Sequence, residues 1–143
     1  MAEFRVQAAE KAKIAAEEYF KLGNLDMAIE QASAARDLNP NLPLIDSYII
    51  AYMIHKLASM ESIYRKKRKT HTLVFTYRVL DIEDCSSGVD EATIRKHYRE
   101  TALLVHPDKN DSVAAEGAFK IVQQALNSLL SDHNRKRKFR GRS

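Results

Sequence analysis

His106-Pro107-Asp108 sets an imidazole and a carboxylate on either side of a proline. Those two groups are the ingredients of a general acid–base pair, or of half a metal site. The rest of the chain does not complete either one. No cysteine or second histidine stands at ligand spacing, and no serine or cysteine nucleophile has a visible partner. A short polar tip between helices also lacks a concave pocket that would exclude water. Neither chemistry is completed, and no catalytic residue, metal or cofactor is expected.

Two amphipathic segments flank it and must position it. The first runs from about Asp90 to Val105, with Ile94, Tyr98, Thr101/Ala102 and Val105 on one face. Asp90 suits its N-cap. The second runs from about Ser112 to Leu130, with Ala115, Ala118, Phe119, Val122, Ala125, Leu126 and Leu129 as its stripe. Pro107 stops the first helix, because it lacks an amide hydrogen and disfavours an α conformation in the residue before it. An antiparallel hairpin follows, with His106-Pro107-Asp108 exposed at the tip and the His106 side chain free of core contacts. Phe119 is expected to pack between the two helices.

Cations form three groups. Arg95, Lys96 and Arg99 share the helix face opposite Ile94 and Tyr98. Arg65-Lys66-Lys67-Arg68-Lys69 reads either as a nuclear-localisation or nucleic-acid patch, or as a solvated boundary between domains. Arg135-Lys136-Arg137-Lys138, with Arg140, makes a basic tail. Neither run has interleaved stacking aromatics and no recognition helix is evident, so any nucleic-acid binding would be electrostatic.

The remaining composition sets the class. The chain has 143 residues, net charge +4, four glycines and three prolines. That length suits one or two small helical domains, and so few breakers argue against extensive β structure or disorder. Cys85 is the single cysteine, so no internal disulfide forms and a reducing compartment is expected. It lies in a loop and reads as a plain small residue. Met1 to Arg5 shows no signal-peptide core, and the most apolar run, Leu42 to Leu57, is interrupted by Asp46 and His55. That run reads as a buried helix and no membrane association is expected.

Upstream, a helix over about Ala2–Lys21 carries Ala9, Ala12, Ala16 and Phe20 as a narrow stripe, and Gly23-Asn24 ends it. A second covers about Leu25–Leu38 with Ala28, Ala32 and Ala35 on one face, close enough in size to let two helices approach. A third runs from about Pro43, which suits a first helical turn, to Tyr64, with Ile45, Ile49 and Tyr52 inward. Phe20, Gly23, Ala28 and Pro40 resemble a single tetratricopeptide-type unit, but such arrays need several repeats and no second copy is present. Thr72-Leu73-Val74-Phe75 has strand propensity.

The C-terminal half resembles the J domain of the DnaJ co-chaperone family. Tyr77-Arg78-Val79-Leu80, Ile94 to Arg99, His106-Pro107-Asp108-Lys109-Asn110, Ala118-Phe119-Lys120 and Ser131-Asp132 occur in the family's order, from about Phe75 to Phe139. Leu-Leu-Val before His106 is most similar to plant J proteins, and the N-terminal helices are similar to the region that precedes the J domain in a group of them. The resemblance implies an all-α fold: an N-terminal region over 1–64, a basic linker over 65–74, a J domain over 75–139 and a tail over 140–143. It implies a short helix at about Phe75 to Leu80, and a short last helix that Asp132 would cap. The J-domain core would hold Tyr77, Leu80, Ile94, Tyr98, Ala102, Phe119, Val122, Leu126 and Leu129.

By the same resemblance the function is non-enzymatic. The partner is a chaperone of the heat-shock protein 70 class, whose ATPase is stimulated, in the cytoplasm and/or nucleus. Arg95, Lys96, Arg99, His106, Pro107, Asp108, Lys109 and Asn110 would form the partner surface. Glu100 departs from the family, which commonly has a cation there, and the loop from Asp81 to Val89 is longer than usual. The family's glycine/phenylalanine-rich linker, zinc-binding cysteine pairs and client-binding domain are absent, so clients are unassigned and the chain reads as a minimal J protein or the front of a longer one. The rival readings are a nucleic-acid-associated protein using the basic runs and an adaptor with a degenerate J-like module.

Overall fold

The computed structural model describes residues 2–68, 73–83 and 88–140. Within them lie six helices, α1 (Ala2–Lys21), α2 (Leu25–Leu38), α3 (Ile45–Arg68), α4 (Val74–Val79), α5 (Glu91–Val105) and α6 (Ala115–Arg140), and no strand. The all-α expectation holds. Lys69, His71, Thr72 and Cys85 lie outside the described residues.

The α1–α2 hairpin follows from local chemistry. Gly23 takes a φ of +80°, a conformation open to glycine, and the amides of Gly23 and Asn24 close the turn on the carbonyls of Phe20 and Tyr19 at 2.9 Å each. The Asn24 side chain then caps α2, accepting from the Met27 amide at 3.1 Å. Ala9, Ala16, Ala28, Ala32 and Ala35 are fully buried, so the two helices meet through methyl groups and their backbones come close.

The start of α3 differs from the expectation. Pro43 is not in its first turn; Leu44 adopts a left-handed φ of 64° and the helix begins at Ile45. The Pro43 carbonyl instead accepts a hydrogen bond from Lys13 Nζ of α1 at 2.9 Å. The far end also differs. α3 continues to Arg68, so the expected linker begins inside a helix. Arg65 is held there by Glu61 one turn back, at 2.8 Å.

The short helix sits near its expected place, one residue earlier, and Val74 and Phe75 are helical despite their strand propensity. Asp90 caps α5 as expected, accepting from the Thr93 amide at 2.8 Å. The separate last helix does not exist. Ser131, Asp132, His133 and Asn134 remain helical and α6 runs unbroken for 26 residues. No glycine or proline interrupts it there, and Asp132 pairs with Arg135 at 2.9 Å and Lys136 at 3.2 Å on the following turn instead of capping a new one.

The core is continuous. Ile94 and Val105 of α5, Ala118, Val122 and Leu129 of α6, and Val79 with Leu80 from the α4 end are buried in one cluster with Ile45, Tyr48, Tyr52 and Ile54 of α3. Tyr77, Tyr98, Ala102, Phe119 and Leu126 are partly buried against it. α3 packs on α2 and on α4, α5 and α6. The N-terminal helices and the hairpin therefore share an interface, and α3 is its spine.

The loop between α5 and α6 as candidate functional site

α5 ends at Val105, and His106 turns extended at ψ 129° ahead of the proline. The amides of Lys109 and Asn110 both close on the His106 carbonyl, at 2.9 and 2.8 Å, which makes Pro107–Lys109 a tight turn. Pro107, Asp108 and Lys109 are exposed. The Asp108 amide donates to His106 Nδ1 at 3.1 Å, which leaves the proton of the neutral ring on Nε2. The ring is not free of the core, contrary to the expectation. It packs on Phe119 at a centroid distance of 5.0 Å and an interplanar angle of 71°, and its side chain is 40% exposed. Phe119, one turn into α6, reaches back under the loop because helical side chains point toward the N-terminus.

Asn110 also departs from its expected place on the partner surface. It is 1% exposed. Its Nδ2 donates to the Leu104 carbonyl of α5 and to the Ser47 carbonyl of α3, each at 3.1 Å, and its Oδ1 accepts from the Ser112 amide at 3.0 Å. A buried amide with these partners is satisfied, and it fastens the loop inward.

Below Asn110 the loop rests on the N-terminal helices. Tyr48 of α3 donates its hydroxyl to Asp111 at 2.6 Å. The carboxylate of Glu17, from α1, accepts from the Tyr52 hydroxyl at 2.6 Å, the Ser112 hydroxyl at 2.7 Å and the Val113 amide at 3.0 Å. Burial and the acceptor carboxylates Asp111 and Glu17 push the Tyr48 and Tyr52 phenols well above their ordinary range. His55 Nε2 lies 2.9 Å from the Ala114 carbonyl, and its ring stacks edgewise on Phe20. Sequence reasoning missed Glu17, Ser47, Tyr48 and Ser112 as neighbours of the loop. Their partners across this contact lie 63 to 96 residues away, so no local spacing marks them.

The cations lie on the open side of α5. Arg95, Lys96 and Arg99 are exposed, with Arg95 held by Glu91 at 2.9 Å. α3 covers a different flank, where Ile50, Met53 and Leu57 meet His97, Thr101 and Leu104 along a shallow groove. His97 Nδ1 sits 3.1 Å from the Leu80 carbonyl on that side. The basic face and the tip are thus left clear together. Among the described residues no cluster of His, Cys, Asp and Glu is arranged to hold a metal. Of the basic run, Arg65 and Lys66 are exposed at the end of α3, and Lys69 is outside the described residues.

Residues 76–139 match the model of the DnaJ domain. The chain carries a DnaJ domain. α5 and the tip it supports fall within it, with α4 from Thr76 onward and nearly all of α6. Chaperone protein dnaJ 49 of Arabidopsis thaliana is 31% identical over 150 residues, covering 87% of this chain and 41% of that protein. That likeness extends past the J domain into the N-terminal helices. DnaJ homolog subfamily C member 14 of Bos taurus is 38% identical over 60 residues, 42% of this chain and 8% of that protein. Chaperone protein DnaJ of Campylobacter lari is 42% identical over 60 residues, 41% of this chain and 15% of that protein. The chain therefore spans less than half the length of these relatives. No solved structure matches it. Among the described residues no helix is long and apolar enough to cross a membrane.

Proposed function

We propose that this protein is a co-chaperone that binds an ATPase of the heat-shock protein 70 class and stimulates its ATP hydrolysis, without itself being an enzyme. One observation carries the reading. The His106-Pro107-Asp108 tip of a DnaJ domain projects beside an exposed cationic face, Arg95, Lys96 and Arg99, on a hairpin with a buried apolar core. The cations steer the domain onto an acidic partner surface and orient it. Asp108, 89% exposed, accepts hydrogen bonds from the partner or pairs with a cation there. Pro107 and the closed turn lower the entropy lost on docking. Stimulation requires that the tip bind the partner's hydrolysis-competent conformation better than its other state.

A single-turnover ATPase assay with purified heat-shock protein 70 class partners tests this. Wild type should accelerate hydrolysis and His106→Gln should not, at matched occupancy and equal helicity. Equal stimulation by the two proteins would refute the mechanism. For location we propose the cytoplasm and/or nucleus, with 65–69 as an import signal; a fluorescent fusion whose distribution ignores replacement of that run by alanine would remove the signal from consideration.

A further inference from the structure

We propose that Glu17 of α1 is a positioning residue for the His106-Pro107-Asp108 tip, so that the N-terminal helices set how strongly the tip stimulates its partner. The inference rests on the co-chaperone reading and adds to it a residue outside the DnaJ domain.

Both oxygens of the Glu17 carboxylate are engaged. Oε2 accepts from the hydroxyls of Tyr52 and Ser112, and Oε1 from the Val113 amide. Ser112 and Val113 lie just before α6, where helix amides lack intrahelical partners and the dipole is positive. α1 thus supplies a carboxylate to the start of α6 from 95 residues away. Ser112 is fixed in turn: its hydroxyl accepts from the Ala114 amide at 3.1 Å and its own amide donates to Asn110 Oδ1 at 3.0 Å. Asn110 passes the restraint to the Leu104 carbonyl in the last turn of α5. An unbroken series of hydrogen bonds therefore runs from Glu17 through Ser112 and Asn110 to Leu104, and closes the base of the loop on both sides of the tip. α3 reinforces it through the Ser47 carbonyl on Asn110 and the Tyr48 hydroxyl on Asp111. None of these groups lies on the cationic face, so they bear on how the tip is held and not on how the partner is first captured.

That separation gives the test. Stimulation of a heat-shock protein 70 class ATPase is titrated with the 143-residue wild-type chain, Glu17→Ala, Glu17→Gln and Ser112→Ala. Glu17→Ala should lower the maximal stimulated rate roughly two- to tenfold, the scale of a lost hydrogen bond, with little change in the half-saturating concentration. Glu17→Gln should recover most of the rate, because the two hydroxyls can turn to accept from its amide while its oxygen keeps Val113. The imidazole NMR signals of His106 in the free protein should shift or broaden in Glu17→Ala and not in Glu17→Gln. Should Glu17→Ala fail to fold, Ser112→Ala decides: a lowered maximum supports the proposal and a wild-type maximum overturns it. A folded Glu17→Ala with wild-type maximal rate and unchanged His106 signals also overturns it, while stimulation by wild type leaves the co-chaperone reading standing. Absence of stimulation by wild type itself is the distinct result that sinks that reading and this inference with it.

Discussion

The rings of His106 and Phe119 meet at 71° with their centroids 5.0 Å apart. The residue at the centre of the tip is thus also a packing residue, and its substitution has two separable consequences. Aromatic pairs of this geometry contribute about 0.5–1.5 kcal/mol beyond area burial. His106→Gln should lower stability by about that amount, more than an exposed position would, and chemical denaturation measures it. Phe119→Leu keeps an apolar side chain under the loop but removes the ring. It should disturb the His106 NMR signals while α5 and α6 remain folded. Unaltered His106 signals in that variant would show that the ring contact does not orient the imidazole.

Gly117 sits in the first turn of α6, where a glycine is locally unfavourable. A Cβ built there would lie 2.6 Å from Cε1 of His55, whose ring is held between the Ala114 carbonyl and Phe20. Gly117→Ala should therefore cost about 1–3 kcal/mol from overpacking, against a helix-propensity gain of about 1 kcal/mol. In a His55→Ala background the clash is gone and the same change should stabilise by about 1 kcal/mol. A double-mutant cycle by urea denaturation checks this, and additive effects would contradict the close approach of α3 to α6.

Much of this architecture was legible from residue spacing. The alanine stripes, Gly23-Asn24, the Asp90 cap and the Pro107 stop all act within a turn or two of sequence, and each element they mark is present. Failures came where local signals compete. Asp132 looks like a cap, but its ion pairs to Arg135 and Lys136 satisfy it within a continuing helix. Pro43 looks like a first-turn proline, but the left-handed Leu44 delays the helix. The deeper omission is the seam between the N-terminal helices and the hairpin. Asn110 belongs to a motif that reads as exposed, and its burial depends on a carbonyl 63 residues away. Glu17 carries no mark in a helix rich in glutamate and alanine.

Arg99 should act on capture. It is exposed on α5 and remote from the hydrogen bonds that fasten the tip. Arg99→Ala should slow association with the partner, by an amount that shrinks as salt rises past the Debye screening range, and leave dissociation and the maximal stimulated rate nearly unchanged. Stopped-flow association at several ionic strengths measures this. A salt-independent loss, or one confined to dissociation, would place Arg99 in a close contact instead of a steering field.

Alkaline pH should open the seam through Tyr48 and Tyr52. Burial comes first among the causes that raise both phenols, followed by the hydrogen bonds to Asp111 and Glu17, each of which needs the phenol proton. The sign follows from linkage. A folded-state pKa above the unfolded value near 10 means the native state binds more protons at high pH. The stabilisation is complete below about pH 10 and declines as pH rises beyond it. Tyrosinate absorbance should accordingly show Tyr48 and Tyr52 ionising only as the fold is lost. Lysine titration overlaps this range, so the comparison is with Tyr52→Phe, whose stability should fall less steeply above pH 10 than that of wild type. Parallel curves for the two proteins would mean that the Tyr52 hydroxyl does not hold its proton against Glu17.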